Sequence, residues 1–375
     1  MRLSPQQRRS VGDALVALCI GRPVELAGSE EVAEVFLHAV TYHRLAPLAH
    51  VMLRQSHPEL SKRLKPVRDQ MLFHHLRIVA TLERIDEQLD GVPWVVFKGP
   101  VLSELAHPVP GIRWYQDLDL LVAPENLRGV CERLFAQGWQ LRDSDAMLSD
   151  PSFGGEISMR SPWGTFIDLH WAMTNSAAKR ARYPVSTADI LARRVMVPVA
   201  GSEVPSLDES DTLAYLCLHA CLTGGTRLLH LVDIDHLIRR VADVSMVLSR
   251  ALDWRAAAPL ALVLGRARRL LGTPVPDDLY QVLNLSEGFA RLMAVVDRGW
   301  PISLVWSGSS MPRRIATHVR TGAARTLGAV GLASARQVGA RFRRVRAAEL
   351  TPPSQEGIDA YLTKVEAAAS AGIRN

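Results

Sequence analysis

Cysteine is scarce in this chain: Cys19, Cys131, Cys217 and Cys221 are the only four in 375 residues. They are too few and too scattered for a disulfide framework. The expectation is reduced core thiols in a cytoplasmic protein. Long apolar runs are also missing. None approaches the eighteen or so residues that a membrane-spanning helix needs, so no membrane span is expected. The N-terminal stretch MRLSPQQRRSVGDALVALCIG repeats as an amphipathic helix and is followed by no small-residue cleavage site, which argues against a signal peptide. No G-x-x-x-x-G-K, G-x-G-x-x-G or G-x-S-x-G pattern occurs. P-loop kinase, dinucleotide-binding and α/β-hydrolase chemistries are thereby set aside.

Acidic residues are absent from one long segment. Between Asp297 and Glu349 there is no Asp or Glu, while Arg313, Arg314, Arg320, Arg325, Arg336, Arg341, Arg343, Arg344 and Arg346 accumulate. Such a segment can meet a polyanion, but a solvated helix face is the simpler reading. The whole-chain charge of +6 is modest for this length, and an apolar share of 48% is ample for a core.

Periodicity divides the chain into four parts. Residues 1–91 repeat at i, i+3, i+4 and i+7, the helical period. Residues 92–205 mix short strands with helices: WVVF at 94–97, a helix opened by Pro100, DLDLLV at 117–122, a helix stopping at Gly138, GGEISMRS and GTFIDLHWAM, and a hairpin turning at Gly201. Residues 206–348 are helical again, and 349–375 form a tail with a weak helix. The fold class expected is α+β: a small mixed-sheet core flanked by N-terminal and C-terminal helical regions.

Within DLDLLV, Asp117 and Asp119 are separated by one residue, so on a strand both carboxylates project from the same face. Burying two like charges side by side is costly unless a cation stands between them. Two adjacent hard oxygen ligands suit Mg2+ or Mn2+. A third carboxylate, Asp168, lies in the strand candidate TFIDLHW with His170 on its face; the histidine reads as a buried structural residue. Upstream, Lys98-Gly99 follows a strand and opens a helix, a place where phosphate can be held. Three carboxylates on two strands can hold two metal ions for an in-line displacement at phosphorus. A second Asp-x-Asp, Asp233 and Asp235, falls in the helical context LLHLVDIDHLIRR. There i, i+2 side chains diverge, so the pair reads as structural, as does His74-His75.

The run VVFKGPVLSEL, GIRWYQDLDLLV, FIDLHW, then LAYLCLHACL and LLHLVDIDHLI, resembles the uncharacterised nucleotidyltransferase family of the polymerase-β-type superfamily. The resemblance implies Mg-dependent transfer of a nucleoside monophosphate from a nucleoside triphosphate to an acceptor (small molecule, peptide or RNA), with release of pyrophosphate. It implies that Asp117 and Asp119 ligate both metals and Asp168 the catalytic one. Lys98, Gly99 and Arg113 match positions near the triphosphate. Where the superfamily commonly has Gly-Ser this chain has Gly99-Pro100, and proline offers no N–H to a phosphate. Ser103, one turn along, is the substitute donor. Two other readings stand beside this one. A metal-dependent glycosyltransferase or sugar-phosphate transferase also uses Asp-x-Asp, acting from a nucleotide sugar on a peptide or metabolite. An inactive family member would bind nucleotide or nucleic acid through the arginine-rich segment.

Overall fold

The computed structural model describes residues 3–26, 29–149, 153–299, 310–341 and 354–371. Seven strands form one mixed sheet: β1 (Trp94–Val96), β2 (Leu118–Val122), β3 (Gln140–Leu141), β4 (Glu156–Arg160), β5 (Phe166–His170), β6 (Val195–Val199) and β7 (Ser202–Ser206). Their order is β3-β4-β5-β2-β1-β7-β6. β2 is central, antiparallel to β1 and parallel to β5, with Asp119 opposite Asp168 and Leu121 opposite His170. The expected hairpin at Gly201 is β6–β7, and β7 joins β1 in parallel.

Alternation along the strands gives the sheet two differently used faces. Leu118, Leu120 and Val122 of β2, with Ile167 and Leu169 of β5, point to a core completed by Ile78, Leu82 and Ile85 of the long helix Pro58–Gln88, by the helix Leu127–Ala136 and by the last helix, Gln355–Ser370. Val95, Phe97 and Leu121 face the other way, against Tyr215 and Leu218 of the helix Glu209–Leu222. On this second face the intervening polar residues Asp119, Asp168 and His170 are carried.

The N-terminal helices Pro5–Cys19, Glu30–Tyr42 and Ala46–Met52 share a third core with Glu209–Leu222, Leu228–Ile238 and Ala257–Leu271. The two helical regions that flank the sheet in sequence thus meet in space. The architecture is α+β, as its periodicity predicted. The helix ending at Gln88 begins well before the apolar repeat from Met71, at Pro58, and runs through Pro66. All four cysteines are buried and free. Among the described residues no helix is long and apolar enough to cross a membrane. Of the arginine-rich segment, Arg313, Arg314, Arg320 and Arg325 fall in or between the helices Ser310–His318 and Ala323–Arg341. Arg343, Arg344 and Arg346, and the side chains of Arg336 and Arg341, lie outside the described residues.

Candidate active site

Asp117 ends the loop before β2, Asp119 is the strand's second residue, and Asp168 is its register partner on β5. All three line one cavity of about 320 Å³, together with Lys98, Glu156 and His170. The helix Glu209–Leu222 closes the opposite wall with Tyr215, Leu218, His219 and Leu222, and the segment after β5 adds Met173, Thr174, Asn175 and Lys179.

Electrostatics separate the three aspartates. Asp119 is buried, and burial alone would raise its carboxyl. Lys98 Nζ at 2.6 Å and His170 Nε2 at 3.2 Å outweigh that and hold it well below the usual carboxylate range. For Lys98, burial works against the charge, but Asp119 prevails and the ammonium is held above its ordinary value. Among the described residues Asp117 makes no ion pair, and Lys98 acts on it only from further off. Burial, then the Asp119 and Asp168 charges, push it up to about 6. Asp168 accepts a 2.7 Å hydrogen bond from the Ser158 hydroxyl.

His170 is drawn into the site by its neighbours. Burial would lower its pKa, but Glu156 and Asp119 hold it above the ordinary value. Its Nδ1 lies 3.0 Å from Glu156 Oε2, an ion-pair distance whose angle falls outside hydrogen-bond geometry. The ring packs edge-on against Phe97, with centroids 4.9 Å apart. Among the described residues no three Asp, Glu, His or Cys side chains stand at metal-ligand spacing. In this arrangement Lys98 is the cation that Asp119 holds.

The other residues expected at the phosphates lie elsewhere or serve the backbone. The Arg113 guanidinium is buried and bound to both oxygens of Asp233 at 2.8–3.1 Å, away from the cavity lining. His107 Nε2 donates to the same carboxylate at 2.8 Å. The Ser103 hydroxyl is buried outside the cavity lining and accepts from the Gly111 N–H at 2.8 Å, which stabilises the loop before β2. Gly99 adopts φ +56° and ψ −114°, and a Cβ there would stand 3.2 Å from the Tyr115 ring and 3.4 Å from the Asp117 carbonyl. Its role is to let the β1 turn approach the loop that carries Asp117. Asp235, like Asp233, is buried and paired, with Arg239 and Thr273, as its helical context implied.

Sequence reasoning passed over Glu156, Asn175, Lys179, Tyr215 and His219. Glu156 was legible in principle. In GGEISMRS the residues Glu156 and Ser158 alternate as Asp168 and His170 do, and the antiparallel register sets Glu156 opposite His170 and Ser158 opposite Asp168.

Carboxylates thus stand in register on two central strands of a mixed sheet with helices packed on both faces. Residues 29–272 of the 375 match the family described as uncharacterised nucleotidyltransferase. The chain belongs to that family. A solved structure, an antigenic nucleotidyltransferase-like protein from Paracoccidioides brasiliensis, is similar over 55% of this chain and 94% of its own, at 14% identity and a TM-score of 0.30. No curated protein matches.

Proposed function

We propose that the protein is a divalent-metal-dependent nucleotidyltransferase that moves a nucleoside monophosphate from a nucleoside triphosphate to an acceptor and releases pyrophosphate. The observation that supports this most is the convergence of Asp117, Asp119 and Asp168 on one cavity, two of them in register on adjacent parallel strands. By donor type the set suits Mg2+ or Mn2+, being all carboxylate oxygen, and the three carboxylates would have to draw together and Asp119 exchange Lys98 for the ion. Asp117 is pushed up to about 6 by burial and then by the neighbouring Asp119 and Asp168 charges, the crowding that a bound cation would relieve.

Asp117, Asp119 and Asp168 would hold the metal, which when bound neutralises phosphate charge and activates the attacking oxygen. In the transfer, an acceptor oxygen bonds to the α-phosphorus, the bond from that phosphorus to the bridging oxygen breaks, and pyrophosphate carries away the electron pair. Asp168, steadied through one oxygen by Ser158, keeps its other oxygen for the acceptor's proton. Lys98 supplies positive charge beside Asp119. Catalysis rests mainly on positioning and charge.

The test incubates the protein with each labelled triphosphate, Mg2+ and candidate acceptors and follows pyrophosphate release and label transfer. Asp119→Asn and Asp168→Asn are expected to lose about 100-fold or more, and chelation to abolish turnover. Release near the wild-type rate in either variant, or in chelator, sinks the reading. Transfer from a sugar nucleotide without pyrophosphate would replace it with the glycosyltransferase alternative.

A further inference from the structure

The cavity has a charge problem that the carboxylates and Lys98 leave unsolved. Four acidic side chains line it, Asp117, Asp119, Glu156 and Asp168. A metal can join the carboxylates to the phosphates nearest them. The outer phosphates of a triphosphate still need a cation, and the turn after β1 is poorly fitted to supply donors: Pro100 has no N–H, Ser103 is fully buried outside the cavity lining, and Arg113 is held by Asp233.

Across the cavity, the segment after β5 brings in Lys179. Its side chain is half-buried in the lining, and it forms no ion pair among the described residues. The backbone just before it is tied to β4. Gly155 donates to the Asn175 side chain at 3.1 Å, the Asn175 amide donates to Glu156 Oε1 at 2.5 Å, and Gly155 accepts from the backbone of Trp171 and Ala172 at 2.9 and 3.2 Å. A Cβ at Gly155 would stand 2.6 Å from the Thr174 carbonyl, so only glycine allows this clamp. The lysine is therefore presented by a braced segment.

We propose that Lys179 is the binding residue for the outer phosphates of the nucleoside triphosphate, replacing from the segment after β5 the grip that the β1 turn lacks. Asn175 is its positioning residue, fastening that segment to the strand that carries Glu156. The ammonium donates hydrogen bonds to the oxygens that leave as pyrophosphate. This inference rests on the nucleotidyltransferase reading.

The experiment measures binding of inorganic tripolyphosphate, and separately of the four nucleoside triphosphates and the corresponding monophosphates, by calorimetry in Mg2+. Lys179→Ala is expected to weaken tripolyphosphate and triphosphate binding about tenfold or more while leaving monophosphate binding within about twofold. Lys179→Arg should restore most of the loss. Lys179→Ala with unchanged tripolyphosphate affinity overturns the assignment and leaves the broader reading standing. Equal weakening of monophosphate and triphosphate also overturns it, because the effect would then not be on the outer phosphates. If the wild-type protein binds neither tripolyphosphate nor any triphosphate, both this inference and the nucleotidyltransferase reading fall. A circular dichroism melt within a few degrees of wild type is the check that the variant is folded.

Discussion

Arg113 illustrates how a residue placed by family resemblance takes its role from a partner far along the chain. It sits four residues before Asp117, and sequence placed it at the phosphates. In the fold its planar fork closes on Asp233, 120 residues on. Burial would raise the Asp233 carboxyl, but Arg113 and His107 hold it well below the usual range. A carboxylate held low in this way contributes stability that is present above its unfolded pKa, about 3.9, and is lost as pH falls toward the folded value. Arg113→Ala leaves Asp233 buried with only His107, and should cost about 3–5 kcal/mol near neutral pH. The difference between wild type and variant should shrink once the pH drops below about 4, where the carboxyl protonates in the unfolded chain as well. Urea melts at pH 7 and pH 3.5 measure this. Turnover per folded molecule near wild type would confirm that the arginine holds the fold; a selective loss of triphosphate affinity at unchanged stability would return it to the phosphates.

Local period carried most of the information at the level of elements. The strand at Trp94, the helix opened by Pro100, the strand at Leu118 and the hairpin at Gly201 stand where their apolar alternation and turn residues put them. Asp-x-Asp on a strand and its helical counterpart at Asp233 and Asp235 were separable on geometry alone. Pairing was not legible, because which strand lies beside which depends on contacts between distant segments. So the register that sets Asp119 beside Asp168, and Glu156 opposite His170, had to come from the fold. The β1 turn shows the same limit. Its glycine was read as a phosphate cradle, yet its conformation answers to Tyr115 and the Asp117 carbonyl. Gly99→Ala should cost about 1–3 kcal/mol in stability, since ψ −114° at positive φ is nearly reserved to glycine. Displacing the loop that carries Asp117 should lower kcat/KM by more than that loss of folded protein accounts for. Thermal melts and kinetics on the same preparation separate the two effects, and a variant with normal kcat/KM would detach Gly99 from the site.

In the whole molecule the two faces of the sheet are used differently: one carries the carboxylates of the candidate site, the other the last helix. Gln355–Ser370 packs its Ile358, Tyr361, Leu362 and Val365 under the strands that carry the carboxylates on their opposite side. The link is specific. Trp171, fully buried and next in sequence to His170, donates its indole N–H to Tyr361 Oη at 2.8 Å, and that hydroxyl donates in turn to the Gly154 carbonyl at 2.9 Å. At the outer side Arg128 reaches Glu366 at 2.5 Å and Asp359 at 3.3 Å, exposed ion pairs of small worth. The hydroxyl bridge therefore counts for more than the charges. Tyr361→Phe keeps the ring and removes the acceptor, leaving the Trp171 N–H buried without a partner at a cost of about 1–3 kcal/mol. Because Gly154 and Trp171 frame the segment leading to Asn175 and Lys179, the same change should loosen the far wall of the cavity without touching any residue in it. The expected result is a lower melting temperature together with faster amide exchange over residues 171–180, while Arg128→Ala shifts neither by a comparable amount. Unchanged exchange over 171–180 in Tyr361→Phe would confine the last helix to stability and cut its link to the site.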